Sequence, residues 1–423
     1  MTKLALHWQI LIAIILAAVA GSLSGVDGTV FGLSLYSAYD FVGTLFLNAL
    51  KMIIVPLVMA SIITGMASIG DGDDFGRLGI KTLLFYTASS IMAILVGLIL
   101  VNIIEPGVTE NGDLAAKIAP SEAEMEATMA KVSGKGAGDI AEVFIRMIPT
   151  NVVSAAANGQ MLGMIFFSLL FGLFLAKGDS PHKATVASFW QGVMDVMTEI
   201  TMFVMKFAPI GVFGLVAKTV ASTGFDAFVP MLLFFLTVSL GLAVHMCITM
   251  FIALKVVGRV KPQNHYKSMF PALLTAFSTA SSSATLPLTM KRVEEVSGVP
   301  NKVGGFVLPL GATVNMDGTA LYECVAAMFI AQVYGIDLSF TQQFIIVLTA
   351  LLTSIGVAGI PAASLVAISV ILGVIGLPLE GIGLLLITDR ILDMMRTAVN
   401  VFSDSCAAVI IARSEGAETN LNA

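Results

Sequence analysis

Long apolar runs recur along the chain and are separated by short polar stretches. The uninterrupted or briefly interrupted runs occupy residues 8–23, 40–69, 80–104, 147–175, 187–220 and 228–257. Each is close to the roughly 20 residues that an α-helix needs to cross a hydrocarbon core about 30 Å thick, whereas barrel strands alternate at every second residue. The pattern therefore predicts an all-α integral membrane protein.

Two later apolar segments are broken by polar residues at mid-length. Residues 278–283 split the segment 271–290, and residues 354–359 split a second one. A proline follows each break, at Pro287 and at Pro361. Because non-helical backbone at membrane depth is tolerated only inside protein or beside a cavity, both segments predict re-entrant helical hairpins. Such a pair marks the binding site of a transporter built on inverted repeats.

The span after the first hairpin contains polar groups in its interior. Residues 315–319 read NMDGT, which places a helix-breaking glycine beside a carboxylate and a carboxamide. If the helix unwinds there, carbonyl groups near Gly311 and Asn315 and the Asp317 carboxylate form an oxygen-rich cage for a hard cation. The simpler interpretation is a kink in which Asn315 bonds to a neighbouring helix. An intramembrane aspartate needs a partner, which favours the cation.

The last span has a stripe of polar residues on one face. Since an α-helix turns by roughly 100° per residue, steps of three or four residues align side chains along that face. The stripe contains Asp389, Asp393, Arg396, Thr397, Asn400 and Asp404. A charge at the bilayer centre costs about 2.5–3.5 kcal/mol on insertion scales, so the stripe indicates an ion or substrate pathway.

Asp393 and Arg396 have two interpretations. Opposite charges one turn apart are most often a structural salt bridge. An acidic amino acid also accounts for both, because a guanidinium binds a carboxylate with two hydrogen bonds while an aspartate neutralises an ammonium. The hairpin tips at residues 281–283 and 356–359 add backbone N–H groups for carboxylates. Asp404 has no obvious basic neighbour in the sequence, which suits a cation.

Other polar residues of the spans are ambiguous by themselves. Tyr86, Ser89 and Ser90 share a helix face, but hydroxyls in membrane helices usually bond their own backbone or a neighbouring helix. Burial favours the neutral form of Glu323, so a proton carrier and a permanently hydrogen-bonded residue are equally supported. The GxGD pattern at residues 70–73 matches intramembrane proteases, but its polar surroundings indicate a solvated turn. No enzyme is predicted.

Composition agrees with a membrane protein and limits its partners. Of the 423 residues, 57% are hydrophobic and only 12% are charged, about half the charged share of soluble domains. The net charge of −6 says little about a nucleic-acid partner. Binding to DNA or RNA is not expected, because the sequence lacks a basic cluster of the kind that follows the phosphates of a nucleic acid. Cys247, Cys324 and Cys406 lie in apolar segments without a CxxC pair and are interpreted as small core residues.

Charge also predicts orientation. Residues 105–142 form an acid-rich polar stretch, interpreted as one long water-exposed loop. Basic residues cluster on one side of the later spans, at Lys255, Arg259, Lys261, Lys267, Lys291, Arg292 and Lys302. The positive-inside rule places this cluster on the cytoplasmic side and the long loop outside.

Three motifs resemble those of the dicarboxylate/amino acid:cation symporter family, which includes excitatory amino-acid transporters and archaeal aspartate transporters. They are SSSATLP at residues 281–287, NMDGTALYE at 315–323 and LDMMRTAVNVFSD at 392–404, and PTNVVSAAANGQ at 149–160 extends the resemblance over nearly the whole chain. The resemblance implies eight transmembrane helices plus two re-entrant hairpins, arranged as inverted repeats. It also implies a homotrimer in the cytoplasmic (inner) membrane, with both termini cytoplasmic.

The resemblance further implies a division into a static scaffold and a moving transport domain. The scaffold comprises residues 1–75 and 143–224, the transport domain 76–104 and 225–416, the extracellular loop 105–142 and the cytoplasmic tail 417–423.

In that family the substrate and cations bind at positions that can be matched here one by one. The implied substrate residues are Ser282, Ser283, Thr319, Gly359, Asp393, Arg396, Thr397 and Asn400, with Asp393 on the ammonium and Arg396 on the side-chain carboxylate. The implied Na⁺ ligands are Tyr86, Ser89, Ser90, Asn315, Asp317, Asn400 and Asp404, with backbone carbonyls near Gly311, Thr313, Ser354 and Ile355. Glu323 matches the proton carrier of mammalian members.

The expected function is import of L-glutamate or L-aspartate with Na⁺, with coupled H⁺ and counter-transported K⁺ left open. Positions that carry an arginine in relatives hold Ala280 and Met394 here, and Arg390 is a candidate substitute. The alternatives are a proton-coupled glutamate or dicarboxylate carrier and, in another class, a ligand-gated ion channel. Two interrupted segments around a charge pair favour a carrier.

Overall fold

The computed structural model describes residues 6–67, 73–108, 145, 148–158, 160–224, 228–354 and 363–422. Most of the described residues are helical, as the apolar runs predict, and a two-stranded antiparallel ladder joins β1 (Thr29–Val30) to β2 (Leu33–Ser34). The predicted loop is described only at residues 105–108, and most of the GxGD pattern lies outside the described residues.

The helices are numbered in chain order. The first seven are α1 (Leu6–Ser24), α2 (Leu35–Ala67), α3 (Asp73–Ile104), α4 (Val152–Ala157), α5 (Met161–Lys177), α6 (Lys183–Met205) and α7 (Ala208–Thr223). The others are α8 (Phe228–Val257, with two π-helical turns), α9 (Pro262–Thr279), α10 (Ser282–Glu295), α11 (Asn301–Val314), α12 (Asp317–Val333), α13 (Phe340–Ser354), α14 (Ala363–Ile375) and α15 (Ile382–Ser414).

Several of the described helices can cross a membrane by length and composition. These are α8, α15 and the part of α3 from Arg77 to Ile104, and α6 with α7 is a pair bent by 54° that is long and apolar enough to be a broken span or a re-entrant loop. Pro209 follows this bend as the second residue of α7, and proline has no N–H with which to continue a preceding helix. The chain is therefore a multi-pass membrane protein.

The first split segment reverses direction at its break. Thr279 and Thr285 contact each other near the turn, with their hydroxyls 3.3 Å apart, and Ser268 and Ser297 meet 2.9 Å apart at the other end. Helices α9 and α10 therefore run antiparallel. Ala280 makes the turn in the left-handed region at φ 49°, where a residue with a Cβ is uncommon. The break predicted within residues 278–283 is confirmed.

The second split segment is described on both sides of its break. Helix α13 ends at Ser354, α14 begins at Ala363, and the two pack against each other. Residues 355–362 lie outside the described residues, and with them the predicted site residues Ile355 and Gly359.

The predicted unwinding within NMDGT is also confirmed. Helix α11 ends at Val314, Asn315 and Met316 are not helical, and α12 begins at Asp317. Gly318 then lies so close to α15 that a Cβ there would be 2.7 Å from the carbonyl oxygen of Arg396. Only glycine allows this approach of α12 to α15 without a displacement.

Helix α12 is the centre of the molecule. Every residue from 317 to 331 is buried, as expected of a helix that is apolar on all faces. It packs against α3, α8, α13 and α15, whereas α2 packs against α5, α6 and α7, and α7 packs against α1. Among the cysteines, Cys324 and Cys406 are buried as interpreted, but Cys247 is exposed. The core interpretation was wrong for Cys247, because that residue lies on the outward face of α8.

Candidate functional site

Buried oxygen atoms cluster where α3 meets the break between α11 and α12. Asp317 Oδ1 accepts hydrogen bonds from Ser90 Oγ at 2.6 Å and from Ser89 Oγ at 3.2 Å. Ser89 Oγ also lies 3.3 Å from Asn315 Oδ1. The serines that seemed ambiguous in the sequence thus reach across to the polar break, and all four residues are buried.

The second oxygen of Asp317 is bonded to two other helices. Oδ2 accepts a hydrogen bond from Ser403 of α15 and lies 3.2 Å from Nε2 of His245 on α8. The sequence analysis did not identify His245, although an ionisable residue inside an apolar span is a signal of function by itself. The partner that Asp317 requires is therefore supplied from α8.

Asp404 joins the same cluster from α15. Asn315 Nδ2 donates to Asp404 Oδ1 at 2.9 Å and to Ser403 Oγ at 3.2 Å. A Cβ on Gly311 would lie 2.4 Å from Asp404 Oδ1 and 2.7 Å from the Tyr86 hydroxyl. The absence of a side chain at Gly311 is therefore what allows the oxygens of Tyr86 and Asp404 to converge on the break.

The chemistry of this cluster fits a hard cation. Carboxylate, carboxamide and hydroxyl oxygens are the donors that such cations prefer, and the unwound turn adds backbone carbonyls. The hydroxyls of Thr313 and Ser354 are bonded within their own helices, to the carbonyls of Leu310 and Leu351. For these two, the backbone carbonyls remain the candidate ligands.

A second cluster, of opposite charges, lies about two to four turns away from Asp404 along α15. Arg396 Nη2 donates to Asp393 Oδ1 at 2.9 Å, so the salt bridge predicted from their spacing is present. Arg396 Nη1 and Nη2 also donate to Asp389 Oδ1, at 3.1 and 3.2 Å. Asp389, which the sequence left without a role, is a counter-ion of Arg396.

Tyr322 of α12 completes this cluster. Its hydroxyl donates to Asp389 Oδ1 at 2.9 Å, and the Arg396 guanidinium carbon lies 3.8 Å from the centre of its ring. A cation over an aromatic face in a desolvated site is stabilised by about 2 kcal/mol. Arg396 is only 1% exposed, and its Nε has no hydrogen-bond partner among the described residues. One donor of the guanidinium is thus available to a ligand.

Arg390 extends the charge cluster toward the surface of α15. Its Nη1 lies 3.5 Å from Asp393 Oδ2, on the opposite side of that carboxylate from Arg396. Arg390 therefore reaches the predicted substrate site, as a substitute for the missing arginine must.

Asn400 connects the charge cluster to the start of α12. Its Oδ1 accepts from the backbone N–H of Gly318 at 2.8 Å, and its Nδ2 donates to Thr319 Oγ1 at 3.1 Å. It satisfies N–H groups that a helix N-terminus leaves unpaired. Thr397 is buried and bonds the Asp393 carbonyl of its own helix at 2.8 Å.

The tip of the first hairpin reaches the same region through α10, which packs against α15. Ser281 caps α10 by accepting a hydrogen bond from Ala284 N–H at 3.2 Å. Of the two predicted substrate residues that follow, Ser282 is buried and Ser283 is exposed.

Glu323 is fully buried on α12. Its Oε2 accepts a hydrogen bond from Thr353 Oγ1 of α13 at 2.7 Å, while Oε1 has no partner among the described residues. One oxygen is thus held permanently and the other is available for a proton, so both interpretations of Glu323 remain open. Thr353 was not identified from the sequence.

The chain is similar to known proteins over almost its whole length. A family model described as the sodium:dicarboxylate symporter family matches residues 6–414. The chain is 35% identical over 424 residues to the proton/glutamate-aspartate symporter of Escherichia coli (strain K12), which covers 98% of this chain and 93% of the relative. It is 36% identical to the proton/sodium-glutamate symport protein of Bacillus caldotenax (98% and 96%) and 34% identical to mouse (Mus musculus) excitatory amino acid transporter 3 (96% and 85%).

Proposed function

Because the chain belongs to the sodium:dicarboxylate symporter family, we propose that it imports L-glutamate or L-aspartate together with Na⁺, with H⁺ as a further coupled ion. Relatives named as glutamate or aspartate symporters align with 98% of this chain and with 93% and 96% of their own lengths. The observation that carries the proposal is that one helix, α15, contributes a buried arginine and aspartate to one cluster and Asp404 to an oxygen-rich cluster.

The charge cluster supplies what an acidic amino acid requires. The Arg396 guanidinium binds the side-chain carboxylate and Asp393 binds the ammonium, since each offers the opposite charge in a buried site. The remaining substrate residues are Ser282, Ser283, Thr319, Gly359, Thr397 and Asn400. Asp393 accepts one hydrogen bond from Arg396 in the described structure, so a substrate carboxylate that takes this donor would release Asp393 toward the ammonium.

Sodium is a co-substrate held by the oxygen cluster. Its proposed ligands are Tyr86, Ser89, Ser90, Asn315, Asp317, Asn400 and Asp404, with carbonyls near Gly311, Thr313, Ser354 and Ile355. Asn400 touches both sites through the first residues of α12. A cation that orders this turn therefore favours the substrate-binding geometry, and linkage requires the substrate to raise the affinity for the cation equally.

The proposed architecture has eight spans, two re-entrant hairpins and an elevator-like movement. The packing of α2 with α5, α6 and α7, of α1 with α7, and of α12 with α3, α8, α13 and α15, supports a scaffold at residues 1–75 and 143–224 and a transport domain at 76–104 and 225–416. A homotrimer in the cytoplasmic membrane, with cytoplasmic termini, completes this proposal.

The proton would be carried by Glu323, whose free oxygen is buried next to the hydrogen bond from Thr353. Once this proton is released, the ionised Glu323 would favour a counter-transported K⁺ on the return step. A proton-coupled carrier without sodium is the second candidate, and it is favoured by the name of the Escherichia coli relative.

Transport into proteoliposomes tests the proposal. Purified protein should accumulate labelled L-glutamate or L-aspartate above the external concentration under an inward Na⁺ gradient, and should stop when choline replaces Na⁺. Equal accumulation in choline under an imposed pH gradient would establish the proton-coupled carrier instead. Dissipation of the gradients without accumulation would indicate a channel.

A further inference from the structure

Helix α8 changes its register at His245. The carbonyl of His245 accepts the N–H of Met250, five residues later, so residues His245–Thr249 form a π-helical turn. Tyr266 of α9 donates its hydroxyl to the carbonyl of Met246 within this turn. Such turns are rare inside α-helices and occur frequently at functional sites.

The π turn decides which residues of α8 face the interior. Buried positions advance by four residues from Gly241 to His245, then by five to Met250, and by four again to Leu254. In a regular α-helix a step of five instead of four rotates the side chain by roughly 100°. The extra residue therefore lets α8 place His245 toward α12 and still bury Met250 and Leu254 in the core.

His245 has one polar contact that matters for the proposed function. Its Nε2 lies 3.2 Å from Asp317 Oδ2, and both side chains are 0% exposed. An ionised carboxylate only accepts hydrogen bonds, so Nε2 carries the hydrogen and donates it. The other ring nitrogen, Nδ1, has no hydrogen-bond partner among the described residues.

We propose that His245 is a positioning residue of the cation site. The bonds from His245 and Ser403 occupy Oδ2 of Asp317 and prevent the carboxylate from rotating, so that Oδ1 stays toward Ser89 and Ser90. The assignment rests on the proposed function, because it takes Asp317 as a Na⁺ ligand. His245 itself does not bind the cation, since its donor is committed to Asp317 and hard cations prefer oxygen.

The expected effect follows from how metal ligands are held in proteins. Residues that hydrogen-bond to a ligand, without touching the metal, typically change affinity by about 10–100-fold when they are replaced. Loss of the His245 donor should therefore weaken Na⁺ binding by about tenfold or more. Substrate affinity at saturating Na⁺ should change much less, because His245 has no contact with the charge cluster in the described structure.

Two substitutions of similar polarity separate donation from packing. The amide nitrogen in His245→Gln can occupy the place of Nε2, whereas in His245→Asn it reaches only the place of Nδ1. Na⁺ affinity is measured from the Na⁺ dependence of the thermal unfolding temperature and of labelled aspartate binding. We expect His245→Gln to remain within about threefold of the unaltered protein, and His245→Asn to need about tenfold or more Na⁺.

His265 provides a matched control. It is the second fully buried histidine of this region, but its Nε2 lies 2.9 Å from Ser405 Oγ and it does not contact Asp317. His265→Asn should leave the Na⁺ dependence unchanged even if it lowers the unfolding temperature. Should His245→Asn fail to fold, Tyr266→Phe removes the hydroxyl that supports the π turn and must then weaken Na⁺ binding.

The outcomes are distinguishable. If neither the unfolding temperature nor the aspartate binding of the unaltered protein depends on Na⁺, the proposed sodium coupling is wrong and the role of His245 is refuted with it. If the unaltered protein responds to Na⁺ and His245→Asn responds equally, only the positioning role is refuted. Equal weakening in His245→Gln and His245→Asn would refute it as well, because the ring itself, and not its N–H, would then be required. If His245→Asn is unfolded and Tyr266→Phe binds Na⁺ as tightly as the unaltered protein does, the positioning role is also refuted.

Discussion

One oxygen of Asp389 accepts hydrogen bonds from both terminal nitrogens of Arg396, at 3.1 and 3.2 Å. The two residues lie two helical turns apart on α15, and the Tyr322 hydroxyl bonds the same oxygen. The guanidinium is therefore neutralised and oriented from the end opposite to its side-chain stem. Asp393 is left to interact with Arg396 through a single bond, at Nη2.

Replacing Asp389 should weaken substrate binding, although Asp389 is not among the residues proposed to contact the substrate. In Asp389→Asn, Asp393 is the nearest remaining acid to Arg396 in the described structure, so it should hold the guanidinium more tightly and release less readily to an ammonium. We expect the KM for glutamate to rise by about tenfold, equivalent to about 1.4 kcal/mol. Asp40→Asn, at a partly exposed pair with Lys218, is the control and should leave KM unchanged. A normal KM in Asp389→Asn would remove the counter-ion role.

Replacing Arg396 should abolish uptake of acidic substrates. Arg396→Cys removes the only buried guanidinium of the charge cluster within the described residues. Arg396→Lys keeps the charge but loses the planar fork that bridges two acceptors, so it should not restore transport. Uptake of labelled glutamate and aspartate into proteoliposomes measures both. Glutamate uptake retained in Arg396→Cys would contradict the proposed carboxylate site.

Adding a methyl group at Gly318 should separate α12 from α15. The new Cβ would lie 2.7 Å from the Arg396 carbonyl oxygen and 3.1 Å from its Cα. Because both atoms belong to the backbone, the helices must move, and we expect a loss of about 1–3 kcal/mol of stability together with loss of substrate binding. Gly192→Ala on α6 has no atom within 4 Å of the new Cβ. It should be neutral or slightly stabilising, and the unfolding temperatures compare the two.

A methyl group at Gly311 should act on the cation. The new Cβ would lie 2.4 Å from Asp404 Oδ1, so it fills the space where the oxygens converge. We expect the Na⁺ concentration for half-maximal aspartate binding to rise by about tenfold or more. Gly305→Ala lies on the same helix and meets only Asn301 Oδ1 at 3.7 Å, an ordinary contact. If both variants need the same Na⁺ as the unaltered protein, the cluster is not the cation site.

The ion pairs of Glu415, at the C-terminal end of α15, should respond to pH. The side chain of Lys81, with Arg77 as a second cation, lowers the pKa of Glu415 below its usual range. A lowered pKa in the folded protein contributes stability above the unfolded value of about 4.3, and this contribution is lost as the pH falls through the folded pKa. Glu415→Gln should therefore reduce the loss of unfolding temperature between about pH 5 and pH 3. Glu418→Gln is the exposed control, and an identical acid response in Glu415→Gln would contradict the pairing.

The sequence alone determined the membrane class, the breaks and the stripe. Apolar runs of the required length, the break within residues 278–283 and the break within residues 315–319 follow from the local sequence, because a polar or helix-breaking residue inside an apolar run has few structural solutions. The alignment of Asp389, Asp393 and Arg396 on one face also follows from helical periodicity alone. The positions of these residues on the helix can be predicted from the residues next to them in the sequence.

The tertiary structure decided how the polar groups pair. His245 and Asp317 are separated by 72 positions, and a π turn shifts the register that a period of 3.6 residues would assign to α8. Tyr322 and Asp389 meet only because Gly318 lets α12 approach α15 closely. Contacts between distant segments depend on helix packing and register, which are collective properties of the fold and not of any single stretch.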